Sequence, residues 1–141
     1  MNHIRLKKNS LFIEKISALR LAKKYTTPFY CYSLNQLKEN YLGFVNSFRK
    51  VSPLICFSVK SNSNLALLKE LKNIGSGADV VSIGELIKAD KAGINRKKIV
   101  FSGVGKTETE ITAAIKKRIL LINIESESEA NLVNKISKKL S

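Results

Sequence analysis

Four short apolar runs, each followed by a polar turn and a helical pattern, constrain this chain more than any other feature. The runs begin near Leu54 (LICFSV), Ala78 (ADVVS), Lys98 (KIVFS) and Ile119 (ILLINI), at intervals of 24, 20 and 21 residues. Such spacing suits successive strand–helix units. Between the runs the apolar positions change to a helical period. Leu65, Leu68 and Leu71 share a face, as do Ile83, Leu86 and Ile87. Ile111, Ala114 and Ile115 make a third set, and Ala130, Val133, Ile136 and Leu140 a fourth.

Ser33-x-x-Gln36, Ser82-x-x-Glu85, Thr107-x-x-Glu110 and Ser126-x-x-Glu129 fit the capping-box pattern, and each directly follows an apolar run. The chain is therefore predicted to turn sharply from strand to helix. Strands apolar on nearly every residue belong to a parallel sheet covered on both faces. Right-handed crossovers then place every strand's C-terminal end on the same side.

Ahead of the repeat, a helix is predicted over Leu11 to Tyr25, then the turn Thr27-Pro28 and a strand over Phe29-Tyr30-Cys31-Tyr32. A helix from Leu34 to about Phe48 follows, with Leu37, Tyr41, Phe44, Val45 and Phe48 as its apolar stripe. This divides the chain into a helical extension, residues 1–28, and an α/β domain, residues 29–141. Four such units make either half of a (β/α)8 barrel or a small open sheet. A closed barrel takes about 250 residues, so 141 residues cannot close one alone.

Composition narrows the function classes. With 44% hydrophobic and 26% charged residues the chain reads as a soluble globular domain. No apolar run approaches a membrane span. The stretch Leu11-Phe12-Ile13 is too short for a signal peptide, so the expected location is the cytoplasm. The net charge of +14 comes from 20 Lys and 5 Arg scattered along every segment. It lacks the clustering with aromatic residues that marks a nucleic-acid interface, and no nucleic-acid partner is expected. Cys31 and Cys56 lie within apolar runs and read as small buried hydrophobes. His3, the only histidine, falls in a terminus expected to fray, so neither a metal site nor a Ser-His-Asp triad is expected.

Lys60 ends the apolar run Leu54-Ile55-Cys56-Phe57-Ser58-Val59 and precedes the polar turn Ser61-Asn62-Ser63-Asn64. Its ammonium is expected at the rim of the core. Partial desolvation there favours the neutral amine that can form a Schiff base with a carbonyl. Position alone favours the plainer reading, a lysine snorkelling into solvent. Two weak nucleotide-binding motifs can be set aside as such. Gly103-Val104-Gly105-Lys106-Thr107 ends like a P-loop but has Val100 where the first glycine belongs. Gly75-x-Gly77 precedes a strand, whereas a dinucleotide fingerprint would follow one.

Taken in order, Thr27-Pro28-Phe29-Tyr30-Cys31-Tyr32-Ser33, Phe57-Ser58-Val59-Lys60-Ser61-Asn62-Ser63-Asn64 and Gly75-Ser76-Gly77-Ala78-Asp79-Val80-Val81-Ser82-Ile83-Gly84-Glu85-Leu86 resemble the diaminopimelate decarboxylases. Phe101-Ser102-Gly103-Val104-Gly105-Lys106-Thr107 and Asn123-Ile124-Glu125-Ser126-Glu127 continue the resemblance, which runs from about Leu11 to the C-terminus. These are pyridoxal-phosphate enzymes of the alanine racemase and ornithine decarboxylase fold. The resemblance implies a partial (β/α)8 barrel with about four βα units present. It also implies pyridoxal 5'-phosphate as cofactor and meso-diaminopimelate as the amino-acid substrate, decarboxylated to L-lysine. The lysine of the family's V-K-x-N motif bonds to the cofactor, and that position is Lys60. Asp79 and Glu85 match acidic positions near that lysine. An unpaired carboxylate at Asp79 would be costly, and Lys60 is its expected ionic partner. Glu85 also reads as the N3 glutamate of the Ser82 cap.

The family's ring-stacking histidine, phosphate-binding glycine loop, acidic partner of the pyridine nitrogen and C-terminal β-domain are not found in this sequence. The chain is therefore expected to correspond to the N-terminal half of such an enzyme, as a fragment, split gene product or decaying one. Alone it is expected to bind the cofactor weakly and to need a complementary C-terminal half, the complete enzyme being a homodimer. Another decarboxylase of the same fold, acting on arginine, ornithine or a polyamine precursor, or a non-catalytic remnant are the alternative readings.

Overall fold

Left-handed backbone at Lys8, Asn9 and Glu14 (φ 47°, 59° and 56°) breaks the N-terminal segment into turns before a helix can propagate. The computed structural model describes residues 3–140, and the chain divides into two units between Ser52 and Pro53. In the first unit, β1 (Ile4–Lys7), β2 (Ser10–Ile13) and β3 (Ile16–Ser17) form an antiparallel meander. Ile4 pairs with Ile13, and Ile13 with Ile16. The helix predicted over residues 11–25, and with it a wholly helical extension, is thereby corrected. Only α1 (Ala18–Lys24), capped by Ser17, is helical. Glu14 is held out of a helix by hydrogen bonds from Ser33 Oγ (2.8 Å) and Asn35 Nδ2 (3.0 Å).

Residues 29–32 form no strand, and Cys31 is exposed, not buried as expected. His3 is tied down: its backbone N–H donates to Gln36 Oε1 at 3.0 Å, and Nε2 lies 2.9 Å from Glu39 Oε1. The predicted helix α2 (Leu34–Ser47) forms and is capped by Ser33, which accepts from the Gln36 amide. None of its residues is buried, and Phe44 and Phe48 on its apolar stripe stay exposed.

The second unit contains the predicted repeat. Strands β4 (Cys56–Ser58), β5 (Gly77–Val80), β6 (Ile99–Phe101) and β7 (Leu121–Ile122) are parallel and lie in the order β4-β5-β6-β7. Helices α3 (Leu65–Asn73), α4 (Ile83–Lys91), α5 (Glu108–Lys117) and α6 (Glu127–Leu140) follow them in turn. A doubly wound sheet reverses its strand order at a switch point. This sheet does not reverse, and strictly sequential order is that of a barrel arc. The α/β, partial-barrel expectation therefore holds.

The core lies between sheet and helices, with Leu68, Val80, Leu86, Ile99, Phe101 and Ala114 all fully buried. Gly77, Ala78 and Val80 of β5 are buried, as a strand covered on both faces requires. Glycine at 77 is a packing requirement: a Cβ there would strike the Lys98 carbonyl oxygen and stand 2.7 Å from Cys56 Sγ. The caps form as predicted, with one variation. Thr107 and Glu110 make the reciprocal box. Ser82 and Ser126 accept the N3 amides, but their glutamates reach one residue further back, to the Val81 and Glu125 amides (2.9 and 2.7 Å). Among the described residues no helix is long and apolar enough to cross a membrane.

Candidate active site

The C-terminal ends of the four parallel strands carry a concentration of polar side chains. The chain leaves β4 through a 3-10 turn, Val59–Ser61. Val59 is fully buried and anchors the turn, so the buried strand-end position falls on Val59 and Lys60 is swung into solvent. The desolvation expected at Lys60 is therefore not supplied by its neighbours in this chain. The turn itself is braced by Ser61 Oγ donating to Ser58 O (2.7 Å) and by the Asn62 amide donating to Val59 O (3.1 Å). Asn64 then caps α3, accepting from the amides of Ala66 and Leu67. Among the described residues, Lys60 makes no hydrogen bond or ion pair.

Asp79 stands in β5, directly opposite Ser58 of β4 in the ladder. The expected ion pair with Lys60 is absent. The half-buried carboxylate accepts from Ser102 Oγ at 2.6 Å on Oδ1 and from Ser58 Oγ at 3.3 Å on Oδ2. Two hydroxyls replace the anticipated cation because Ser58 and Ser102 project from the flanking strand ends. A charged carboxylate satisfied by hydroxyl donors does not carry the full cost of an unpaired one. Glu85 sits in the first turn of α4, and its carboxylate is committed to the Val81 amide. The structure thus brings Asp79 to the strand beside the Lys60 turn and keeps Glu85 on a capping task.

Two further groups escaped the sequence reading. Asn123, just past β7, donates from Nδ2 to Ser102 Oγ at 2.9 Å. Lys106, in the discarded P-loop-like segment, is buried with its side chain 2% exposed. Its ammonium donates to Gly103 O (2.7 Å), Asn123 O (2.7 Å) and Glu129 Oε1 (3.0 Å). Burial pushes the Glu129 carboxyl up, but the Glu125 amide and Lys106 together bring it below the ordinary glutamate value. The only available signal was a lysine in a glycine loop followed by a capping glutamate 23 residues later. Cys56, the first residue of β4, is a poor nucleophile, since burial and then the Asp79 charge push its thiol up. Among the described residues no group of three metal-ligating side chains occurs.

Comparison with known proteins agrees with this geometry. The profile of the pyridoxal-dependent decarboxylases, pyridoxal binding domain, matches residues 34–141. The diaminopimelate decarboxylase of Aquifex aeolicus is 45% identical over 140 residues, covering 98% of this chain and 32% of its own length. That of Helicobacter pylori is 48% identical over 120 residues, covering 85% and 30% respectively. A crystal structure of diaminopimelate decarboxylase from M. jannaschii in complex with L-lysine has a TM-score of 0.94 at 36% identity. It covers 99% of this chain and 33% of that one. The chain spans about a third of the length of the curated relatives it matches. A profile match across α2 and all four strand–helix units, together with these relatives, shows that the chain belongs to the pyridoxal-dependent decarboxylase family, within its pyridoxal-binding domain.

Proposed function

We propose that this chain carries the cofactor lysine, Lys60, of a decarboxylase that converts meso-2,6-diaminopimelate into L-lysine and carbon dioxide. The observation that carries this reading is the placement of an exposed, unengaged amine in a braced turn at the C-terminal end of a barrel-type strand. That is the face on which barrel enzymes assemble their sites. The residues present fit pyridoxal phosphate. Among the described residues Lys60 Nζ has no competing partner to displace before it bonds to an aldehyde, and the Asp79 carboxylate stands on the strand next to the one that leads into the Lys60 turn. When bound, the cofactor supplies the electron sink that lets a substrate carboxylate leave.

The chain's own residues then have distinct tasks. Lys60 holds the cofactor covalently, Asp79 is the nearby acidic group, and Glu85 fixes the start of α4 against the end of β5. The names of the relatives support diaminopimelate as substrate, and the lysine-bound M. jannaschii enzyme supports lysine as product. The barrel domain begins near residue 29, a reading supported by the family match from residue 34. The site is completed by polypeptide equivalent to the uncovered two-thirds of the relatives' length, within a cytoplasmic homodimer.

Borohydride trapping of added pyridoxal phosphate, followed by peptide mapping, tests the assignment. Label should concentrate on Lys60 over the other 19 of the 20 lysines, and Lys60→Ala should remove it. Label spread evenly over surface lysines would refute the assignment. For the reaction, a chimera joining this chain to the uncovered part of the Aquifex aeolicus relative should rescue a lysine auxotroph. A Lys60→Ala chimera that rescues equally well would exclude Lys60 from the chemistry.

A further inference from the structure

A directed chain of hydrogen bonds crosses the C-terminal ends of all four parallel strands. Asn123 Nδ2 donates to Ser102 Oγ at 2.9 Å, and Ser102 Oγ donates to Asp79 Oδ1 at 2.6 Å. Ser58 Oγ donates to the other oxygen, Oδ2, at 3.3 Å. The polarity is forced. An ionised carboxylate only accepts, so Ser102 spends its single proton on Asp79 and is left to accept the Asn123 amide. The Ser102–Asp79 bond is as short as a charge-assisted O–H to carboxylate bond should be.

Both ends of the chain are anchored. Asn123 is exposed, yet its carbonyl accepts from Lys106 Nζ at 2.7 Å. That ammonium is itself locked to Glu129 at 3.0 Å, with side chains only 2% and 8% exposed. At the other end, Ser58 closes β4, and its carbonyl accepts from Ser61 in the turn that carries Lys60. A rigid buried pair thus sets Asn123, Asn123 sets the Ser102 hydroxyl, and that hydroxyl sets the carboxylate.

We propose that Ser102 and Asn123 are positioning residues for the Lys60 site, acting by holding the Asp79 carboxylate in one direction beside the Lys60 turn. This rests on the reading of Lys60 as the cofactor lysine. Without the Ser102 proton, Asp79 keeps only the longer Ser58 contact and its carboxylate is free to rotate. The negative charge then no longer has a fixed place from which to offset the positive charge that the Lys60 nitrogen would carry once bonded to the cofactor.

The test uses the 141-residue chain with pyridoxal phosphate and borohydride, quantifying label on Lys60 from neutral to mildly alkaline pH. Ser102→Ala should lower the yield at Lys60 about tenfold at limiting cofactor and alter its pH profile. Ser102→Thr, which keeps the hydroxyl, should restore both yield and profile. Asn123→Ala should act in the same direction by about threefold, since it removes a neutral hydrogen bond one step away. Circular dichroism melting identifies any variant that fails to fold, and the threonine variant then carries the test. Wild-type yield and pH profile in Ser102→Ala, or a folded Ser102→Thr as impaired as the alanine variant, would overturn the positioning role alone. If the unsubstituted chain shows no preference for Lys60, the cofactor-lysine reading falls and takes the positioning role with it.

Discussion

Replacing Lys106 with methionine should destabilise the second unit far more than any exposed lysine substitution. Methionine keeps most of the stem's volume, so little cavity opens. What is lost is the ammonium and its three hydrogen bonds, to Gly103 O, Asn123 O and Glu129 Oε1. The two carbonyls sit in half-buried or exposed residues, where water can replace the donor. Glu129 is different, because its side chain is 8% exposed and retains only the Glu125 amide as a partner. Stranding one member of a buried pair costs about 3–5 kcal/mol. The remaining amide bond and water at the carbonyls place the expected loss near the lower end, about 3 kcal/mol. In urea this is a fall in midpoint of about 2 M at unchanged slope.

The pH dependence gives the same reasoning a second check. The folded-state pKa of Glu129 lies below its ordinary value of 4.5, so its ionisation stabilises the fold above that pH. This contribution is lost as pH falls through the folded value. The penalty of Lys106→Met should accordingly be largest at neutral pH and shrink in acid as Glu129 takes up a proton. Adding Glu129→Gln neutralises the stranded charge while an amide oxygen still accepts from Glu125. The double variant should recover about 2 kcal/mol relative to Lys106→Met at neutral pH. A single-variant loss below about 1 kcal/mol at neutral pH, or no recovery in the double variant, would refute the claim that this pair is a buried, coupled unit.

Two further perturbations follow from the packing. Gly77→Ala should cost about 3 kcal/mol, because its Cβ would strike the Lys98 carbonyl oxygen and crowd Cys56 Sγ between adjacent strands; a urea midpoint equal to wild type would contradict this. Asp90 is held at about 2 by hydrogen bonds from Arg96 and Lys117, against an ordinary 3.8, so its stabilisation is present above 3.8 and lost as pH falls toward 2. Because Arg96 is half exposed, Asp90→Asn should cost only about 1 kcal/mol at neutral pH, and urea midpoints of variant and wild type should converge in acid.

The parts of this protein legible in the sequence are those decided within one or two turns of chain. The strand–helix repeat appears because Val80, Ile99 and Phe101 must be buried while Leu68, Leu71, Leu86 and Ala114 line the facing sides of helices. The helix starts appear because Ser82, Thr107 and Ser126 satisfy amides three residues away. The place of Lys60, between an apolar run and a polar turn, was legible for the same reason, but its exposure was not. At the N-terminus the same reasoning failed. An apolar triplet at Leu11–Ile13 suits a helix or a strand equally, and pairing with Ile4–Lys7 made it a strand. Cys31 was misplaced because residues 29–32 find no ladder partner.

By itself, then, the sequence determined the order of elements in the second unit, their caps, the family and the place of a lysine just after β4, all of which depend on local pattern or motif. Only the tertiary structure decided the company these residues keep. Asp79 found hydroxyls from the strands on either side of it, not the lysine cation. The Lys60 turn handed the buried position to Val59. Lys106, dismissed as part of a failed motif, became the centre of a buried pair with Glu129. Each outcome depends on atoms that lie about twenty residues or more apart in the chain, or on which neighbour fills the core. Parallel strand ends bring such residues within hydrogen-bonding reach, and no local periodicity records which ones will meet.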